Sequence, residues 1–194
     1  MFNTVQFYYF SPTGGTKACG ECFCKAIASN VKAVNLGLED ATFNGDCDLA
    51  VFAMPVFAGR IPAVAEEKLA TLNGNGTKAV TLVVYGVRAY EDALLELNNI
   101  VKESNFTVVA SAALVAQHSI VPAVGQGRPD EEDKASIVAF AERYWRKWKA
   151  AASRLYLSLV ISPIARQVIC PSLPSACPSV ESAAHVLPSA LSRQ

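Results

Sequence analysis

The chain lacks an excess of either charge: its 17 lysines and arginines balance its 17 aspartates and glutamates. No long-range field draws it to nucleic acid or to an anionic membrane, so recognition has to rest on local chemistry. It also lacks any uncharged apolar run near the roughly 18 residues of a membrane span, and its start, MFNTVQFYYF, has no basic flank leading into an apolar stretch. A cytoplasmic protein with neither nucleic-acid nor membrane partners is expected. Cysteines 19, 22, 24, 47, 170 and 177 are too sparse for a disulfide-stapled scaffold, and reduced thiols are the default. Two phosphate-binding fingerprints are missing as well: the GxxxxGK[ST] loop of nucleoside triphosphate binders, and a GxGxxG after the first strand.

What is present is apolar material in a regular rhythm. Slightly over half of the residues are apolar, and a domain of about 150 residues buries roughly two-thirds of the surface its unfolded chain exposes. Residues 4–10 (TVQFYYF) are β-branched and aromatic up to a Ser-Pro turn signal, which predicts a buried strand. Helical spacing over 16–29 and a short strand at 31–36 follow. Residues 49–54 (LAVFAM) form a continuous apolar run closed by Pro55, as expected where helices cover both faces of a parallel strand. A helix at 62–72 opens on a proline, and 78–85 (KAVTLVVY) is another buried strand. A helix at 90–102, a strand at 106–115 and a helix from 130 to about 150 complete the series. The last helix starts acidic (DEED) and ends basic (RKWK), both of which suit the helix dipole.

Strands alternating with helices through five strands predict an α/β fold with a parallel sheet, helices on both faces and right-handed crossovers. Rossmann-like and flavodoxin-like strand orders both fit. In either, ligands bind beyond the carboxyl ends of the strands, where the winding reverses.

Three loops at that edge carry the candidate chemistry. The first is Ser11-Pro12-Thr13-Gly14-Gly15-Thr16, in which glycines allow a tight turn, hydroxyls can donate, and amides at a helix start favour an anion. Read alone, it fits a turn with a helix cap as well as a monophosphate cradle. The second, Met54-Pro55-Val56-Phe57-Ala58-Gly59-Arg60-Ile61-Pro62, sets an aromatic among small residues. That aromatic either covers a planar ring or packs beneath its own loop. The third, Tyr85-Gly86-Val87-Arg88-Ala89-Tyr90, offers amides, a cation and Tyr90, which is equally a helix-start packing residue.

SPTGGT after the first strand, PVFAGRIP after the third, YGVRAYEDAL after the fourth and AQHSIVP after the fifth resemble the flavodoxin-like domain of bacterial and archaeal proteins that fuse flavodoxin to a ferredoxin module. The resemblance runs from Val5 to about Trp148. It implies a doubly wound, three-layer sheet of order 2-1-3-4-5 that binds FMN and passes electrons to or from a redox partner such as a ferredoxin or reductase. It further implies Ser11, Thr13, Gly14, Gly15 and Thr16 around the phosphate. Pro55, Val56, Phe57, Ala58 and Gly59 would lie on one side of the isoalloxazine, and Tyr85, Gly86, Arg88 and Tyr90 on the other. Gln117 and His118 would border the pocket, His118 reading first as a capped loop histidine. Arg88, if it stood by the ring, would favour an anionic reduced flavin; otherwise it is a surface cation.

The remaining segment, 151–194, departs from the family pattern. Ser, Ala, Pro, Leu and Arg dominate and prolines interrupt every helical stretch, so an irregular tail is expected in place of a ferredoxin module. Cys170 and Cys177, six residues apart in the gap between them, do not reproduce CxxCxxCxxxCP, and no iron–sulfur cluster is expected in this chain. An out-of-frame ending and a genuine extension fit that composition equally. Two other functional classes compete with the flavin. One is thiol–disulfide chemistry by the Cys19-x-x-Cys22 pair, against a plain packing role, with a metal site lacking a clear fourth ligand. The other is an interaction domain that has kept the fold without a cofactor.

Overall fold

The computed structural model of the protein describes residues 1–150. The expected tail at 151–194, with Cys170 and Cys177, lies outside the described residues. In chain order the elements are β1 (Phe2–Tyr9), α1 (Gly15–Ile27), β2 (Ala28–Asn35), β3 (Leu49–Pro55), α2 (Ala63–Ala70), β4 (Lys78–Tyr85), α3 (Ala93–Glu103), β5 (Thr107–Val115) and α4 (Glu131–Ala150). The five strands are parallel and lie in the order β2-β1-β3-β4-β5. This is the α/β, flavodoxin-like architecture that the alternation and the motifs predict.

Because side chains alternate across a strand, each strand feeds two cores. Phe7, Val51 and Leu82 face Phe23, Ile137 and Phe140 beneath α1 and α4. Tyr8, Phe52 and Val83 face Leu69, Leu97 and Ile100 beneath α2 and α3. β3 is buried at every residue and β4 at all but its first, which is why both read as near-continuous apolar runs. The polar exception is Thr81 of β4, whose hydroxyl bonds that of Ser111 on β5 (2.8 Å), and both bond Asn98 of α3 (2.5 and 3.0 Å).

Three of the boundaries that differ from the sequence expectation have a visible cause. β1 begins at Phe2, where Asp48 Oδ2 accepts the amides of Asn3 (2.7 Å) and Thr4 (3.1 Å). α1 passes straight into β2, because Phe2 pairs with Ala28 and Thr4 with Asn30. Residues 90–92, expected in a helix, form a turn with Glu91 at φ +44°, and α3 starts at Ala93.

α1 lies unusually close to the sheet. A methyl group on Gly20 would stand 2.3 and 2.6 Å from Phe7 ring carbons and 3.2 Å from Ala53 Cβ. Phe7 is fully buried and has nowhere to go. Gly20→Ala is therefore expected to overpack this core at a cost of about 1–3 kcal/mol, against up to about 1 kcal/mol gained in helix propensity. Calorimetry should show the melting temperature falling by about 2–8 °C.

α4 is fixed at its start by a reciprocal cap. The Asp133 amide donates to Asp130 Oδ1 (2.9 Å), and the Asp130 amide donates to Asp133 Oδ2 (3.1 Å). Arg128 Nε donates to the same Oδ2 at 2.7 Å, and its Nη2 donates to Oδ1. Burial pushes the Asp133 carboxyl up, but the Arg128 and Asp130 hydrogen bonds and the Arg128 charge outweigh it and hold its pKa below the ordinary value. The resulting stability is present above the unfolded pKa, about 3.9, and is lost as pH falls through the lower folded value. Asp133→Asn should cost about 1–3 kcal/mol at neutral pH, and in urea titrations its deficit against the parent should shrink as the pH drops below about 4.

Candidate functional site

The strands finish nearly level: Tyr9 pairs with Asn35, Pro55 with Val84, and Tyr85 with Val115. The loops after β1, β3, β4 and β5 therefore gather at one edge. The chain winds from β1 outward to β2 and then back across to β3, so the β1/β3 boundary is the switch point where such sheets bind ligands.

The first loop ends at Gly14, whose φ of +89° suits glycine, and α1 starts at Gly15. The amides of Gly15 and Thr16 belong to the first helical turn and have no partner within the helix. Ser11 Oγ accepts the Lys17 amide at 3.0 Å, which caps the turn and leaves its O–H free to donate. Thr13 is exposed and Thr16 is 5% exposed. A methyl group on Gly15 would come within 3.0 Å of Ala116 Cβ, so the helix start is wedged against the end of β5. Residues 11–16 carry no charged side chain, and Lys17 turns aside to Glu21 (3.7 Å) and the Tyr9 ring (5.9 Å). An anion here would be held by amides, hydroxyls and the helix dipole.

In the second loop Phe57 and Arg60 exchange backbone hydrogen bonds of 2.8 and 3.0 Å around Ala58 (φ +50°) and Gly59 (φ +80°), a tight two-residue turn. Phe57 is not packed beneath its loop; it is 38% exposed. Glu96 fastens the loop base, accepting from Arg60 Nε and from the Ile61 amide, each at 2.8 Å.

In the third loop Arg88 N–H donates to Gly86 C=O at 2.9 Å across Val87, which sits at φ +73°. This is a γ-turn of the rare, strained hand, at a β-branched residue that disfavours it. Arg88 projects into solvent, 83% exposed, with Glu91 Oε1 3.1 Å away. Tyr90 tilts against Tyr85, ring centroids 5.5 Å apart. Pro55 and Tyr85 lie buried beneath the loops, while Val56 and Tyr90 are half-buried.

The fifth strand's loop closes the edge. His118 Nδ1 accepts the amides of Ile120 (3.2 Å) and Val121 (3.1 Å), the capped loop role expected of it, and a neutral ring then carries its proton on Nε2. Gln117 Oε1 accepts the Gly127 amide at 3.2 Å. A methyl group on Gly86 would sit 2.7–2.8 Å from His118 Cδ2, Cα and Cβ, so the third loop and the loop after β5 meet through a glycine.

Cys19 and Cys22 face inward. Cys19 is fully buried, with Sγ 3.8 Å from Val115 O, and burial, aided by the Asp133 charge, pushes its thiol up to about 12. Cys22 Sγ lies 3.7 Å from Lys134 O, and burial raises it too. A nucleophilic thiol needs the opposite shift, so the arrangement favours packing over thiol exchange.

The fold has many known counterparts. A flavodoxin of Streptococcus pneumonia TIGR4 matches with a TM-score of 0.55 at 18% identity, over 74% of this chain and 99% of that one. A flavodoxin from the domain Archaea matches with a TM-score of 0.53 at 16% identity, over 75% and 99%. The rubredoxin oxygen:oxidoreductase of Desulfovibrio gigas matches at 0.54 and 14% identity, over 78% of this chain and 37% of its own. No family model and no curated protein matches the sequence. The fold is thus that of flavodoxins. Among the described residues no helix is long and apolar enough to cross a membrane.

Sequence reasoning identified the loop glycines but missed Glu91, whose side chain lies against Gly59 of the second loop, and Glu96, whose partners Arg60 and Ile61 lie there too. Gly86→Ala should force the 117–127 loop away from the third loop. Amide exchange at Ile120, Val121 and Gly127 should accelerate while β1 to β4 stay protected, and uniform protection across both would refute this packing.

Proposed function

We propose that this chain binds FMN at the carboxyl edge of its sheet and serves as an electron-transfer flavoprotein. The observation that carries the reading is the uncharged, glycine-bent start of α1 at the β1/β3 switch point, set between two loop walls. Ser11, Thr13, Gly14, Gly15 and Thr16 would hold the phosphate by hydrogen bonds alone. A single such cradle, with no GxGxxG turn, suits a mononucleotide better than a dinucleotide. Phe57, Ala58 and Gly59 form one wall beside the ring, and Gly86, Arg88 and Tyr90 the other.

When bound, FMN supplies the redox chemistry. The chain's part is to orient it, to limit water at its faces and to present hydrogen-bond donors and the Arg88 charge near it. The electrons would pass to or from a separate redox protein such as a ferredoxin or reductase. Flavodoxins and a rubredoxin oxygen:oxidoreductase among the structural counterparts support this class of function.

The purified chain should show flavin absorbance or regain it with FMN, and should bind FMN in preference to FAD. Thr13→Ala combined with Thr16→Ala removes two hydroxyl bonds to a charged phosphate, each worth about 1.5–3 kcal/mol, so affinity should fall by tens-fold or more. Thr16→Ser, which keeps the hydroxyl, should restore part of it. Equal binding of FAD, or undiminished FMN affinity in the folded double variant, would reject the cradle.

A further inference from the structure

The two loop walls touch at Gly59. A methyl group built on Gly59 would lie 2.1 Å from Glu91 Oε2, 2.9 Å from its Cδ and 3.1 Å from its Cβ. The Glu91 side chain therefore rests on the bare α-carbon at the tip of the second loop. Two things hold it there. Its backbone takes a left-handed conformation, φ +44°, rare outside glycine. Its Oε1 pairs with Arg88 Nη2 at 3.1 Å.

This contact differs in kind from its neighbour. Glu96 is 10% exposed and grips Arg60 and Ile61, a firm anchor at the base of the loop. Glu91 and Arg88 are both open to solvent, and an ion pair of that sort is weak and easily exchanged for water. The second loop thus has a fixed base at 60–61 and a releasable tip at 59.

We infer that Glu91 is a latch on the slot between the second and third loops. The carboxylate closes the slot by lying on Gly59, and a planar ring enters when the Glu91–Arg88 pair swings aside. A ring sandwiched between the walls and the carboxylate cannot share that space. The inference rests on the reading of these loops as the walls of a flavin site. Only the open fraction can bind, so the latch slows ring entry by the share of time it is shut. Glu91 is a positioning residue; it acts through Gly59 and Arg88.

The test uses two readouts, one of which needs no flavin. Hydrogen exchange of residues 56–61 in flavin-free protein reports the latch directly, and stopped-flow quenching of FMN fluorescence reports entry. Glu91→Ala should speed exchange at Phe57 and Arg60 and raise the FMN association rate about two- to fivefold, the range of an exposed ion pair, with an unchanged melting temperature. Glu91→Gln, which keeps the reach but loses the charge, should give most of the same effect. Glu103→Ala, at the far end of α3, should give none. Unchanged exchange in Glu91→Ala overturns the latch, and so does faster exchange with an unaltered or slower association rate. If the parent protein takes up no FMN, the flavin reading falls, and exchange at 56–61 still decides: acceleration supports the latch, and its absence overturns it.

Discussion

Everything at the carboxyl edge depends on how closely α1 lies on the sheet. Gly20 lets the helix settle onto the Phe7 ring, and Gly15 lets its first turn wedge against Ala116. With a side chain at either position the helix would stand off, and its free amides would no longer emerge level with the strand ends. The close approach gives up apolar burial along that stripe of α1. The loss is made good on the flank, where Phe23 meets Phe140 of α4 (centroids 5.5 Å apart) and Cys19 fills the narrow gap beside β5.

Charge at this edge is handled locally. Lys17 at the start of α1 pairs with Glu21, and the loop cations Arg60 and Arg88 pair with Glu96 and Glu91, so each is answered by an acid nearby. The balance of 17 against 17 in the whole chain is repeated around the loops. An anion approaching the start of α1 would meet oriented N–H groups rather than ammonium or guanidinium, an interaction of short range and strict direction.

The fold was legible because its signals are local. β3 and β4 announce themselves as apolar runs, and the phases of α3 and α4 can be read from apolar spacing alone. The glycine loops at 14–15, 59 and 86 could also be found, since tight turns between strand and helix need such residues. What stayed hidden depends on distance or strain. Glu96 reaches Arg60 across 36 residues, and nothing in either neighbourhood advertises the pair. Left-handed backbone at Val87 and Glu91 contradicts the propensities of both residues, so the helix reading at 90–92 followed the pattern and failed. The joint between α1 and β2 has no turn residues because the pairing of Phe2 with Ala28 decides it.

The opposite edge of the sheet has a character of its own. Phe2 lies between the rings of Trp145 (4.8 Å) and Trp148 (5.1 Å), and Lys78 Nζ stands 3.8 Å over the Trp148 ring. The last turns of α4 are thereby tied to the first residues of β1 and β4, as far from the loops as the sheet allows. The described residues thus have a head and a foot. An attachment made through Lys149, beside Trp145, would leave the four loops of the described residues facing away from it.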